Sequence, residues 1–216
     1  MSTFPDQFLL TGRTALVTGS GRGLGWEMAR GLAEAGARVL LHGRSAERLT
    51  SQVARLREAG YAADALGFDM ADRAAMHAAL ASAGPIDVLV HNVGERDRRP
   101  FAEISSADFA RLIDVDLTAA HALVKLVAPG MVDRGWGRII LVSSIAGDLA
   151  VPGSVSYIAA KGGLTALARA LAAELGATGI TANALSPGFF TTETNAQLAA
   201  SPQGERQRLR CPAKRW

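Results

Sequence analysis

The chain has 216 residues, 49% of them hydrophobic and 20% charged, enough for one domain with a substantial core. Its formal charge of +3 is unevenly placed: residues 201–216 carry Arg206, Arg208, Arg210, Lys214 and Arg215 against Glu205 alone, so the body is close to neutral. With no basic face interleaved with aromatics, a nucleic-acid partner is disfavoured.

The opening stretch, MSTFPDQFLLTGR, lacks a basic segment followed by an apolar one, and no run approaches the length of a membrane span. A cytoplasmic protein without membrane contact is expected. One cysteine, Cys211, excludes an intrachain disulfide framework and fits a reducing compartment. His42, His77, His91 and His121 are scattered with no cysteine cluster nearby, so no metal site is expected.

Strand-like and helix-like segments then alternate. Thr14–Thr18 reads as a short buried strand, and Gly23–Ala35 as a helix ending at Gly36. A second strand covers Arg38–His42 and a helix Ser45–Ala59; a third strand covers Ala65–Asp69 and a helix Asp72–Ala83. The fourth strand is Ile86–His91, followed by a long helix, Ser105–Val127, stopped near Pro129-Gly130. Arg138–Val142 is the fifth strand; Ser154 or Ser156 could cap the next helix, which runs to Leu175, and Ile180–Leu185 is the sixth strand. The alternation predicts an α/β fold, a doubly wound parallel sheet in which ligands bind beyond the carboxyl ends of the strands. Residues 1–200 are expected to form one dinucleotide-binding and catalytic domain, with 201–216 a basic C-terminal segment.

The residues suited to chemistry follow the strands. Thr18-Gly19-Ser20-Gly21-Arg22-Gly23-Leu24-Gly25 joins the first strand to the first helix, where glycines let the backbone approach a pyrophosphate and free N–H groups stabilise it. At the end of the second strand no carboxylate precedes Glu47, whereas Arg44 is available and Arg22 stands in the glycine loop; both could be plain surface arginines, but they favour NADP(H) over NAD(H). Asp69 and the pair Asn92 and Gly94 end the third and fourth strands on the same side of the sheet, where a helix cap and a turn are the plain alternatives.

After the fifth strand come Ser143 and Ser144, then Tyr157 and Lys161 one helical turn apart. A phenol ordinarily ionises near ~10. An ammonium beside it favours the phenolate and brings it into a range useful for proton transfer, while Ser144 could hydrogen-bond a substrate oxygen.

Taken together these placements resemble the short-chain dehydrogenase/reductase family over nearly the whole chain, and most closely its gluconate 5-dehydrogenase-like members, which share Asp114-Val115-Asp116-Leu117, Arg98-Arg99-Pro100 and the run from Pro187 to Glu193. The resemblance implies that Tyr157 is the general acid/base, that Lys161 lowers its pKa and binds the nicotinamide ribose, and that Ser144 polarises the carbonyl. It makes Gly19, Ser20, Arg22, Gly23, Leu24, Gly25, Arg44, Asp69, Asn92, Gly94, Tyr157 and Lys161 cofactor contacts. It adds Pro187, Gly188 and Thr192 beside the nicotinamide, and puts Asp116 where the family has a catalytic asparagine. Arg98 and Arg99 would grip a substrate carboxylate, unless the charged loop is internally paired.

The implied function is NADP(H)-dependent interconversion of a secondary alcohol and a ketone, on a sugar acid or polyol. A 3-oxoacyl-[acyl-carrier-protein] reductase-like enzyme and a catalytically impaired dinucleotide-binding protein are the alternatives. Relatives ordinarily continue past this C-terminus, so the usual seventh strand is expected to be missing, and a homo-oligomer is expected through the two long helices.

Overall fold

The computed structural model describes residues 6–150, 152–193 and 195–216; the N-terminal stretch read as leaderless begins outside that set. Six strands are present: Thr14–Val17 (β1), Arg38–Gly43 (β2), Ala63–Gly67 (β3), Val88–His91 (β4), Gly137–Val142 (β5) and Ile180–Leu185 (β6). They form one wholly parallel sheet in the order β3-β2-β1-β4-β5-β6. Val17 stands opposite Leu41 on one side and Val90 on the other. The chain therefore reverses its direction of travel across the sheet beside β1, which leaves a crevice at the carboxyl ends of β1 and β4.

Period-2 alternation divides β1 to β5 between two cores. Ala15 and Val17 face a layer built from helices α1 (Gly23–Glu34) and α2 (Ala46–Glu58), with Trp26, Ala29, Leu49 and Val53. Leu16, Leu89 and Ile139 face the other layer, made by α3 (Arg73–Ala83), α5 (Ala119–Asp133) and α6 (Val155–Leu175). Each such fully buried aliphatic side chain contributes about 1.5–3 kcal/mol. Ser45, Asp72 and Ser105 cap their helices by accepting from the backbone N–H three residues on.

Several boundaries differ from the expectation. The third strand lies two residues earlier than predicted, because its register follows β2 from Val39↔Ala63 to Gly43↔Gly67; Asp69 stands beyond its end. The predicted Ser105–Val127 helix is α4 (Ser106–Ile113), a π-helical turn (Asp114–Thr118) and α5, which continues through Pro129 to Asp133. Gly135, at φ 62°, ends it: its N–H bonds Val132 O and that of Trp136 bonds Met131 O. Pro129 is carried because its neighbours Val127, Ala128 and Met131 are locked into the core. The fused run Ser106–Asp133 reaches 28 residues, so one helix is after all long and apolar enough by length and composition to cross a membrane; half of its apolar window is buried within the fold. Neither predicted serine caps α6 through its side chain: Ser154 occupies the cap position without bonding, and Ser156 is buried one residue inside the helix.

β6 is a sheet edge, and Thr181, Asn183 and Leu185 on one of its faces are exposed. Among the described residues there is no seventh strand. After a short helix α7 (Ala196–Ala199), the basic segment folds back as α8 (Pro202–Arg210), and Trp216 donates its indole N–H to Gly204 O (3.2 Å) while its ring meets that of Phe189 at 5.2 Å.

Candidate active site

A cleft of about 540 Å³ opens at the carboxyl ends of β1 and β4. Its lining gathers most of the residues singled out in the sequence: Gly19, Arg22, Gly23, Leu24 and Gly25 from the glycine loop, Arg44 and Asp69 from the ends of β2 and β3, and Asn92 and Gly94 from β4. Ser144, Tyr157 and Lys161 border the same space, with Pro187, Gly188 and Thr192 after β6.

The floor is a web of buried polar groups. Thr18 Oγ1 accepts from the N–H groups of Asn92 (2.9 Å) and Val93 (3.2 Å), so its own proton is left for His91 Nδ1 at 3.4 Å. His91 Nε2 then carries the proton and donates to Asp116 O at 3.0 Å. His42 Nδ1 accepts from Gly19 N–H (3.2 Å), which leaves its Nε2–H to donate to Phe68 O (3.1 Å). Burial holds both imidazoles neutral, His42 down to about 4 and His91 down to about 3. Asn92 completes the web by donating to Thr18 O and Gly19 O. The result fixes the glycine loop from beneath while leaving its upper side free.

The glycine loop fits a dinucleotide. A Cβ on Gly25 would sit 2.4 Å from Gly19 O and 2.6 Å from Asn92 Nδ2, so the first turn of α1 packs against the loop more closely than any side chain permits. Its floor is closed by Ser20, which is a correction to the expected cofactor contacts: the side chain points inward, is fully buried and accepts from His42 N–H at 2.9 Å. Arg44 pairs with Asp69 at 3.6 Å at the cleft rim, and Arg48 from α2, missed in the sequence, lines the cleft with Arg22.

Tyr157 and Lys161 are both buried on one face of α6. Lys161 Nζ donates to Val142 O (2.9 Å) and Val93 O (3.5 Å) and lies 5.7 Å from the centre of the Tyr157 ring. Burial pushes the phenol up, but the Ser144 hydroxyl and the Lys161 and Arg96 charges outweigh it and bring it below its ordinary value. Burial lowers Lys161 as well, against the opposing pull of Asp116 and Tyr157. Ser143, by contrast, is turned away: its hydroxyl donates to Lys161 O at 2.7 Å and serves the helix backbone.

Two further expected site residues stand elsewhere. Asp116 does not reach the cleft; it is fully buried in the π-helical turn, where Oδ1 accepts from Glu95 N–H (2.8 Å) and Oδ2 has no hydrogen-bond partner. Burial raises its carboxyl to about 6 in spite of Lys161. A Cβ on Gly94 would meet Lys161 Nζ at 2.8 Å and Asp116 Oδ2 at 3.4 Å, so glycine there is what lets the two groups approach. Arg99 is also absent from the cleft, because Asp97 and Asp108 (3.0 Å) hold its guanidinium outside. Arg98 does line the cleft.

The structure also gives places to Arg96, whose guanidinium lies over Tyr157, and to Asn195, whose Oδ1 accepts from Thr192 N–H at 2.7 Å and whose Nδ2 donates to Phe190 O. The charged run 95–99 was the available signal for Arg96.

Comparison with known proteins agrees with this arrangement. Residues 13–203 match the family model for short chain dehydrogenases. The chain is 38% identical over 217 residues to a gluconate 5-dehydrogenase of Gluconobacter oxydans, covering 98% of this chain and 85% of that protein. It is 33% identical over 216 residues to a 5-keto-D-gluconate 5-reductase of Escherichia coli, with 98% and 85% covered. Among solved structures, a gluconate 5-dehydrogenase from Burkholderia cenocepacia in complex with NADP and tartrate superimposes with a TM-score of 0.91 at 40% identity, covering 98% of this chain and 85% of that one.

Proposed function

This chain belongs to the short-chain dehydrogenase family, an NAD(P)-dependent oxidoreductase by that membership, and from that premise we propose that it interconverts a sugar-acid alcohol of the gluconate type and its ketone, with NADP(H) as the preferred cofactor and NAD(H) as a possible one. The observation that carries the proposal is the convergence of Tyr157, Lys161 and Ser144 on the cleft that the glycine loop opens. The relatives named for gluconate and ketogluconate chemistry support the substrate class, and the neighbour solved with NADP supports the cofactor.

The glycine loop, Asn92, Lys161 and Thr192 would hold a nicotinamide dinucleotide in this cleft, and that group would supply the hydride chemistry. The chain supplies the proton path and the orientation. In oxidation the ionised Tyr157 Oη takes the proton of the substrate hydroxyl, and in reduction the phenol returns it to the carbonyl oxygen. Lys161, pinned by two carbonyls, presents its charge to that phenol, and Ser144 holds the reacting oxygen from the other side. Asp116 acts on Lys161 from behind and touches no substrate. Arg98 faces a substrate carboxylate with no carboxylate partner of its own among the described residues. Arg22, Arg44 and Arg48 suit a ribose 2′-phosphate. We place the protein in the cytoplasm as a homo-oligomer; the exposed Phe109, Leu126 and Val132 on α4 and α5 support a subunit contact there, which light scattering tests.

The direct test is turnover of gluconate, 5-ketogluconate and an acetoacetyl thioester, each with NAD(H) and NADP(H). The proposal expects the sugar acids with NADP(H) to dominate. Preference for the thioester would make the enzyme an acyl reductase instead, and cofactor binding with no turnover of any member would make it a binding protein.

A further inference from the structure

The loop that follows β4 carries three arginines, and the structure treats them differently. Arg99 is closed off by Asp97 and Asp108, and the neighbouring Glu95 is taken by Arg111 at 2.6 Å. Arg96 has no ion-pair partner among the described residues. Its guanidinium carbon instead lies 4.8 Å from the centre of the Tyr157 ring, and its Nη2 donates a long hydrogen bond, 3.4 Å, to Tyr157 Oη. A planar guanidinium can cover a ring face and reach the ring's hydroxyl together, which an ammonium cannot.

The phenol thus stands between two cations of unlike character. Lys161 is buried and held by backbone carbonyls, whereas Arg96 is exposed on a loop and reaches the oxygen from the cleft side. We infer that Arg96 is a catalytic residue of this enzyme, a second cation that contacts the reacting phenol oxygen and stabilises it as phenolate before substrate arrives. The inference rests on the reading of Tyr157 as the acid/base.

The charged groups around Tyr157 are Lys161 on its own helix, Arg96, Arg98 and Glu95 on the loop after β4, and Asp116 in the π-helical turn behind Lys161. Glu95 is neutralised by Arg111, and Asp116 acts chiefly on Lys161, so the two cations dominate at Oη. Arg96 also repels Lys161, and its removal should make that ammonium easier to keep protonated while making the phenol harder to ionise. Because Arg96 is exposed, its effect on Tyr157 is modest and weakens with salt.

The chain has two tyrosines, Tyr61 and Tyr157, so Tyr61→Phe leaves a protein whose phenolate absorbance reports Tyr157 alone. In that background, Arg96→Gln should raise the ionisation midpoint by roughly one pH unit and Arg96→Lys by less, both differences narrowing in high salt. The rising limb of kcat/KM for alcohol oxidation should move by the same amount, with activity recovered at higher pH. Loss of a purely structural contact would lower activity at every pH and leave the midpoint alone. An Arg96→Gln midpoint equal to that of the parent overturns the inference, whatever the activity does. Survival of turnover in Tyr157→Phe would instead remove the acid/base reading, while the phenolate titration still reports whether Arg96 touches the ring.

Discussion

The floor of the cleft and the loop at its rim are both rich in polar side chains, yet they are built on opposite rules. Beneath the glycine loop, Thr18, His42, His91, Ser20 and Asn92 find hydrogen-bond partners in one another or in the backbone. In the loop after β4, Arg96 and Arg98 face the cleft without a counter-ion among the described residues, and of its three arginines Arg99 alone is neutralised. Saturated polar groups in a dry environment have nothing left to offer a ligand and serve to hold geometry. Unsatisfied ones in a cleft are free to act on what enters. Asp116 sits on the boundary between the two, with one oxygen spent on the backbone of Glu95 and the other directed into the space it shares with Lys161 around Gly94.

The largest effect should come from breaking the floor. Gly25→Ala forces a methyl group into Gly19 O and Asn92 Nδ2; it should cost about 3 kcal/mol of stability and lower NADPH affinity at least ~100-fold. Thermal denaturation and a fluorescence titration read both effects, and wild-type values for the pair would show that the loop is not as tight as described.

The floor should also be the acid-sensitive part. His42 and His91 are depressed from 6.5 to about 4 and about 3, so the stability they contribute is complete above pH 6.5 and is lost as pH falls toward those values. Asp116, raised to about 6, works the other way and relieves the fold slightly between pH 6 and 4. The two histidines outweigh it, and Tm should drop below pH 6.5. His91→Asn keeps a donor for Asp116 O but removes the titration, so its unfolding free energy should fall less steeply, by about 1.4 kcal/mol per pH unit where the histidine titrates, and its Tm with it. Identical slopes would mean that His91 is not held neutral.

Changes at the rim should be smaller and confined to ligands. Arg44→Ala should raise KM for NADPH roughly tenfold and leave that for NADH unchanged, since a single charge-assisted contact is worth about 1.5–3 kcal/mol. Equal changes for both cofactors would remove Arg44 from the 2′-phosphate site. Arg99→Ala should do least: its exposed ion pairs are worth less than about 1 kcal/mol, and turnover should stay within about twofold. A large loss there would return Arg99 to the substrate site.

The same contrast explains what could be read in the chain itself. The strands, the glycine loop and the Ser144, Tyr157 and Lys161 set are local patterns, and period and spacing carry them. The histidines are different: burial keeps His91 neutral and partners 25 and 73 residues away fix its ring, and no spacing announces that pairing. Ser20 reads as a loop contact by its place among the glycines, and only the fold, which brings His42 N–H from 22 residues away onto its hydroxyl, turns it inward. Arg96, Arg98 and Arg99 are near-identical in sequence, and only Asp97, Asp108 and the Tyr157 ring, brought together by the fold, give them separate tasks. Pro129 marked a helix end that tertiary packing overrode.

The proposed reaction turns on proton transfer at one phenol. Turnover of gluconate with NADP by Tyr157→Phe, measured beside NADPH binding, tests it directly: kcat should fall by about 10²–10⁴-fold while cofactor affinity stays within about twofold. A variant that binds cofactor normally and turns over within twofold of the wild type would contradict it.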